Sequence, residues 1–147
     1  MRGLISVIIS LFVFNGVFGQ TQKTFVKSFP LNGDNFVVLN LDGDVEVKEW
    51  SEPFMRVHTN VELENASSQV LKLFLMQGRY RLTTGFQDGA KFIASTPRSA
   101  NVKYKGQVLN ETVTYTVFVP EYTEVQNANN EDETTVSHQK NAPIYNK

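Results

Sequence analysis

The residues that could do chemistry are few, and the most suggestive are three carboxylates in two similar turns. Asp34 follows an Asn-Gly pair, and Asp44 follows an Asp42-Gly pair ten residues further on. Carboxylates of this kind can bind calcium, or work as a pair in glycoside cleavage. Asp, Asn and Gly also favour tight turns, and the twelve-residue calcium loop pattern is absent. We therefore interpret Asp34, Asp42 and Asp44 first as turn residues, with calcium binding as the alternative and catalysis behind both.

Other catalytic and metal-binding motifs are missing from the sequence. The two histidines, His58 and His138, have no cysteine or second histidine at a spacing that suits a transition metal. The chain has no cysteine and no Gly-x-Ser-x-Gly motif, which excludes thiol chemistry and disfavours a serine hydrolase. The sequence therefore predicts no enzyme activity, no catalytic residues and no cofactor.

The first nineteen residues have the pattern of a cleavable signal peptide. Arg2 makes a positive start, and residues 4–14 are apolar except for two serines. A membrane-spanning helix needs roughly 20 apolar residues, and Asn15 interrupts this run earlier, so an uncleaved anchor is the less favoured alternative. Gly19 supplies the small residue expected before a cleavage site. The sequence predicts cleavage before Gln20 and export to the periplasm, the cell surface or the extracellular space.

Length and charge limit what the exported chain could bind. Removing residues 1–19 leaves 128 residues, a suitable length for one domain. Arg2 is the only charged residue removed, so 13 basic and 15 acidic residues remain and the formal charge is −2. This balance disfavours nucleic acid and anionic membrane surfaces, which bind basic patches. No later segment has the length and apolar character of a membrane span, and we expect a macromolecular or surface partner that the sequence does not identify.

Alternation of apolar and polar residues predicts a small domain that is mainly β, with antiparallel strands. In residues 44–50, Val45 and Val47 fall on one side of the strand and charged residues on the other. The Asp-Gly pair just before this segment favours a hairpin, because primed turns need the positive φ that glycine adopts at little cost. We expect a sandwich-like arrangement or the start of a β-solenoid over residues 20–125. The predicted strands are 24–31, 36–41, 44–50, 54–64, 79–83, 91–94, 101–108 and 112–119.

One segment of the chain has helical spacing instead. Apolar residues recur three and four positions apart across its middle, Asn65 or Ser67 could cap its start, and Gly78 could end it. The sequence predicts one amphipathic helix near residues 66–77.

The hydrophobic pattern stops near the C-terminus. Residues 126–147 contain only three sizeable apolar residues, which bury too little surface to offset the entropy of ordering the segment. We expect a polar, disordered tail.

Four short motifs follow one another along the chain: Gly43-Asp-Val-Glu-Val-Lys-Glu-Trp50, Met55-Arg-Val57, Gly78-Arg-Tyr80 and Val113-Thr-Tyr-Thr-Val-Phe-Val-Pro120. Their order resembles the exported adhesin-like proteins of Bacteroidetes, namely the auto-transporter adhesin or head domain group and related domains of unknown function. The resemblance covers about 24–125 and implies an envelope or surface location, a strand-rich architecture and no established catalysis. The family has no defined site, so no functional residue is assigned to this chain from the resemblance. In that family the Val-Pro step leads to further Gly-Asp-Val strands, whereas residues 121–147 of this chain are polar.

Two functional hypotheses follow from the sequence. The first is a non-enzymatic envelope module whose strand edges or faces bind another macromolecule, because edges offer unpaired backbone groups. Trp50 and Tyr104 are the aromatic residues predicted as contact points, with packing in the core or at a sheet edge as the alternative. The second is a protein that binds calcium or a small ligand through the acidic turns, and it requires Asp34, Asp42 and Asp44 to converge.

Overall fold

The fold, taken from a computed structural model, is described for residues 20–99 and 102–129. No helix in this part of the chain has the length and apolar surface needed to cross a membrane. The predicted signal peptide and all but the first residues of the predicted tail lie outside the described residues. The described elements are β1 (Thr21–Pro30), β2 (Phe36–Asn40), β3 (Asp44–Trp50), β4 (Phe54–Glu64), α1 (Ser68–Met76), β5 (Leu82–Gln87), β6 (Ala90–Ser95), β7 (Lys103–Tyr104), β8 (Gln107–Val108), β9 (Asn110–Pro120) and β10 (Glu124–Asn127).

The strands form two four-stranded sheets and one small hairpin, which confirms the prediction of a mainly β fold. The first sheet has the order β1-β4-β9-β3, the second has the order β10-β2-β6-β5, and β7 pairs with β8. Strand β4 pairs antiparallel with both β1 and β9, and β5 pairs antiparallel with β6. The other pairs, β3 with β9 and β2 with both β6 and β10, are parallel, so the predicted antiparallel pairing holds for only part of the fold.

Alternating residues of the long central strands build one core between the two sheets. In β4, every second residue from Met55 to Leu63 is buried, and in β9 the same holds from Val113 to Val119. Val37 and Leu39 of β2 belong to the same cluster. Each such valine or leucine contributes roughly 1.5–3 kcal/mol by leaving water, so this shared core stabilises the packing of the sheets.

The predicted hairpin between β2 and β3 is wrong, because these strands belong to different sheets. Leu41 is fully buried between them, and the chain bends at Asp42 and Gly43 to cross from one sheet to the other. Gly43 has φ +149° and lies against the carbonyl oxygen of Val113 in β9. The glycine was correctly predicted as a turn residue, but close approach to β9, rather than a two-residue hairpin, is what requires it.

The helix matches its prediction, whereas several strand bounds do not. The strand predicted at 79–83 is wrong, because residues 77–80 turn after α1 and β5 covers Leu82–Gln87. Gly78 ends α1 with φ +73°, and Val70, Leu71 and Phe74 are its buried residues. Residues 101–108 were predicted as one strand, but β7 and β8 form a tight hairpin there because Lys105 and Gly106 both have positive φ. Strand β10 runs two residues past the predicted domain boundary at 125, because pairing with β2 satisfies its backbone.

Candidate functional site

The three carboxylates predicted as possible calcium ligands have different surroundings. Asp34 lies in the turn after β1, where its backbone N–H donates to the Leu31 carbonyl at 3.0 Å, and its Oδ2 is buried without a partner in the described residues. Asp42 lies 3.6 Å from the Arg98 guanidinium, and Asp44 is exposed at the start of β3. The part of the chain that the structure describes contains no group of three or more His, Cys, Asp or Glu placed to hold a metal ion. Calcium binding stays a prediction that this arrangement does not support.

An aromatic cluster covers the outer face of the first sheet around Trp50. The Trp50 indole N–H donates to the Phe54 carbonyl at 2.9 Å, and the two rings meet edge to face with centroids 5.0 Å apart. Phe118 lies 5.4 Å from the Trp50 ring, and the Arg56 guanidinium lies 5.0 Å from it. His58 lies on the same outer face, with its ring centroid 5.0 Å from that of Phe118. Trp50 is therefore half-buried by packing at the sheet edge, and its role as a contact point stays a prediction.

Tyr104 also packs at the margin of the core. Its ring is half-buried in β7, and the Lys105 ammonium lies 5.4 Å from the ring centroid. Trp50 and Tyr104 lie on different sheets, and a contact role for Tyr104 likewise stays a prediction.

A largely buried charge network centres on Glu111 at the start of β9. Arg79 donates from Nε and Nη2 to the two Glu111 carboxylate oxygens at 2.9 and 2.7 Å, and the Tyr80 hydroxyl donates to the same carboxylate at 2.6 Å. Arg98 adds a second cation, with its Nε 3.7 Å from Glu111, and donates to the Tyr115 hydroxyl at 3.0 Å. The Glu111 and Arg98 side chains are only 11% and 10% exposed. The network joins β9 to the loops on both sides of β5 and β6.

The network holds Glu111 in its charged form. Burial by itself raises the pKa of this carboxyl, but hydrogen bonds from Arg79 and Tyr80 and the charges of Arg79 and Arg98 outweigh burial, so the pKa lies below its usual value. Burial, reinforced by the hydrogen bond to Glu111, raises the pKa of the Tyr80 hydroxyl. A carboxylate saturated by these donors is poorly placed to exchange protons with a substrate. The geometry suits a structural role in positioning β9.

The lowered pKa of Glu111 predicts acid sensitivity. The network's contribution to stability is present above the unfolded-state pKa of about 4.3 and is lost as the pH falls through the lower folded-state pKa. We expect the free energy of unfolding, measured with urea, to fall between pH 6 and pH 3. The loss should be smaller in Glu111→Gln, which has no proton to bind at this site. Equal losses in the two proteins would contradict this assignment.

A surface pocket of about 330 Å³ lies where β1 faces the start of β5 and the end of α1. Its lining consists of residues 25–27, Thr59, Leu75, Gly78 and residues 80–82. The rings of Phe25 and Tyr80 stack with centroids 6.3 Å apart and an interplanar angle of 12°. We call this the β1 pocket.

The charged residues that line the β1 pocket are both cations. Lys27 and Arg81 line it, and the Lys23 ammonium lies 5.6 Å from the Phe25 ring. Lys27 donates to the Leu82 carbonyl at 2.9 Å, but within the described residues none of these three cations forms an ion pair with a carboxylate. The lining contains no acidic residue. The pocket therefore combines aromatic and aliphatic walls with unneutralised positive charge.

Strand β1 also presents a long free edge beside this pocket. It contains ten residues, pairs with β4 on one side and has no strand on its other side within the described residues. Val26, at the middle of this edge, is 58% exposed. An edge strand leaves alternate N–H and C=O groups available to a partner.

Sequence reasoning did not find the Glu111 network or the β1 pocket. The residues of the network are spread over 79–115, and no spacing rule links them. The pattern of β1 does place Phe25, Lys27 and Phe29 on one face, but nothing local indicates that this face meets α1 and β5.

The described residues form a small domain of two β-sheets, with an edge strand beside a cationic, apolar pocket. No family model matches the chain, and neither does any curated protein. Among solved structures, the chain is similar to a "putative cell adhesion protein" from Clostridium sporogenes ATCC 15579, with 14% identity and a TM-score of 0.40. The similarity covers 73% of this chain and 46% of that one, so the chain spans about half the length of that structure. Similarity at this level assigns neither a family nor a function.

Proposed function

We propose that this protein is an exported, non-catalytic interaction module of the cell envelope or surface, and that it binds a macromolecular partner along β1 and the β1 pocket. The observation that carries the proposal is the coincidence of a free ten-residue edge with a pocket lined by three consecutive residues of that edge. Backbone pairing along an edge and side-chain insertion into an adjacent pocket are the two elements of strand-addition recognition.

The distribution of exposed apolar residues supports this surface. Val26 and Met76 are 58% and 77% exposed, on β1 and on the last turn of α1. The nearby residue Leu75 lines the pocket. Apolar groups that remain exposed next to a concave site favour a binding role over simple solvation.

The side chains of the described residues also support a non-catalytic role. The buried carboxylate Glu111 has a lowered pKa and is saturated by Arg79, Tyr80 and Arg98. The β1 pocket contains no carboxylate, histidine or serine. Such a lining can bind and orient a ligand, but it offers no general base near neutral pH.

Export is proposed from the signal-peptide pattern of residues 1–19. Strand β1 starts at Thr21. Cleavage before Gln20 leaves every described strand intact, because it removes only residues outside those elements.

Site-specific photo-crosslinking in the producing cells tests the proposal. A benzophenone amino acid at Val26 is expected to give a discrete crosslinked product outside the cytoplasm, in protein whose N-terminus is Gln20. The same probe at Lys48, which is exposed on the opposite edge strand β3, is the matched control. It is expected to give at least fivefold less product.

Three results would count against the proposal. Equal amounts of crosslinked product from the two positions would contradict binding at β1. Product from Lys48 alone would indicate that the partner binds the face around Trp50 instead. Uncleaved protein confined to the cytoplasm would remove the export step.

A further inference from the structure

We infer that the partner at the β1 pocket is an extended, acidic segment of another protein, which pairs with β1 as a fifth strand of the first sheet and places apolar side chains in the pocket. This inference rests on the proposed function and specifies the chemistry of the partner.

The backbone of β1 favours an extended peptide as the ligand. The ten-residue edge runs along the pocket, and Phe25, Val26 and Lys27 belong to both. A segment that continues the sheet would satisfy the free backbone groups of β1. Its side chains would alternate between the two faces of the sheet, so that every second one points toward the side where the pocket lies.

The size and walls of the pocket favour side chains over a long acyl chain. A volume of about 330 Å³ is at the lower end of ligand pockets and has room for one or two aliphatic or aromatic side chains. The stacked Phe25 and Tyr80 rings and the aliphatic Leu75 offer apolar contact. The pocket therefore selects for apolar residues on the inward side of the added strand.

The charge around the pocket selects for acidic residues on the same side of the added strand as those apolar ones, because Lys27 and Arg81 line the pocket. Lys23, Lys27 and Arg81 form no ion pair with a described carboxylate. Acidic side chains on the added strand would complement these cations and speed the encounter. Lys23 and Lys27 lie on the same face of β1, so pairing β1 with β1 of a second copy would crowd positive charges together. This argues for a different, acidic partner rather than self-association.

Fluorescence anisotropy with synthetic peptides and the full exported chain tests this inference. The probe is a fluorescein-labelled ten-residue peptide in which threonine alternates with valine or glutamate, so that valine and glutamate share one face of the added strand. A basic peptide with lysine in place of glutamate is the charge control. Two further acidic peptides carry N-methyl groups on alternate backbone nitrogens, one on the odd and one on the even positions.

The acidic peptide is expected to bind at least tenfold more tightly than the basic one. One of the two N-methylated peptides should lose at least tenfold in affinity and the other should not, because alternate N–H groups of an added strand face the sheet. Arg81→Glu and Lys27→Glu should each weaken the acidic peptide at least fivefold. Lys48→Glu, on the opposite edge, should leave it unchanged. Arg81 is exposed and makes no described side-chain hydrogen bond, so Arg81→Glu should fold. It therefore tests the charge selection even if Lys27→Glu fails to fold.

Several outcomes would overturn the inference. Equal affinity for the acidic and basic peptides removes the charge selection, and equal affinity for the two N-methylated peptides removes strand addition. Binding of decanoate in place of the acidic peptide would identify the site as one for small anionic lipids. A failure of all peptides together with strong crosslinking from Val26 would reject the acidic strand and leave the proposed interaction function standing.

Discussion

Replacing Gly43 with alanine is expected to lower the free energy of unfolding by about 3 kcal/mol or more, which is among the largest effects of a single methyl group in this fold. The new Cβ would overlap the carbonyl oxygen of Val113 and lie 3.2 Å from the Tyr115 ring. Both residues belong to β9, which is paired with β3 immediately after Gly43. Relief of the overlap requires moving paired backbone rather than one flexible side chain.

The backbone angle adds to this cost. Gly43 has φ +149°, a conformation that residues with a side chain rarely adopt. Strain of this kind costs about 1–3 kcal/mol, and the displacement of β9 adds a similar amount. Urea unfolding and thermal melting measure the sum, and the midpoint of melting is expected to fall by about 10 °C.

Gly33→Ala is the matched control for this prediction. Gly33 also has positive φ, at +91°, but a Cβ there would have no atom within 4 Å. It carries only the backbone strain, and we expect a loss of about 1 kcal/mol. Similar losses at the two glycines would show that the approach of Gly43 to β9 contributes little.

Replacing Glu111 with alanine is the second change with a large expected effect, a loss of about 3–5 kcal/mol of unfolding free energy. The substitution leaves the largely buried guanidinium groups of Arg79 and Arg98 without their common carboxylate, and it removes the acceptor of the Tyr80 hydroxyl. A charge left unpaired in a buried site costs more than the original pair contributes.

Glu46→Ala is the control for Glu111→Ala, because it removes a carboxylate from an exposed ion pair. The ion pair between Lys48 and Glu46 has a similar distance, 3.1 Å, but its side chains are 48% and 63% exposed. Water and salt screen such a pair, so its loss should cost less than about 1 kcal/mol. Urea unfolding of both variants at pH 7 measures the contrast. Comparable losses would mean that burial does not strengthen the Glu111 network.

A double variant separates the energy of the interaction between Arg79 and Glu111 from the cost of leaving one of them buried without its partner. Arg79→Met combined with Glu111→Ala removes both charges, so the loss should be smaller than the sum of the two single losses. Additive losses would contradict a direct interaction between Arg79 and Glu111 across the 2.7 Å contact.

Local patterns in the sequence predicted the elements of this fold well. The alternation in 54–64 reappears as buried and outer faces of β4, and the helix ends at Gly78 as predicted. These features depend on neighbours within a few positions, because side-chain direction repeats every two residues in a strand and every 3.6 in a helix.

Those local patterns did not predict which strands pair with each other. The bend at Gly43 has the composition of a hairpin, yet β2 and β3 join different sheets and pair in parallel with strands more than 50 positions away. Turn residues specify a local reversal or bend, whereas the choice of partner depends on which faces can be buried together. For the same reason, no spacing in the sequence joins Arg79 to Glu111.

What the sequence determined by itself is therefore a cysteine-free, near-neutral, strand-rich domain with one helix, preceded by a segment with the pattern of a signal peptide. Those properties follow from composition and from periodicities along the chain. Only the tertiary structure decided that β1 is an edge, that Phe25 and Tyr80 form an apolar pocket beside it, and that Lys27 and Arg81 line this pocket without an acidic partner in the described residues. Each of these depends on contacts between residues far apart in the chain, which form when the sheets pack.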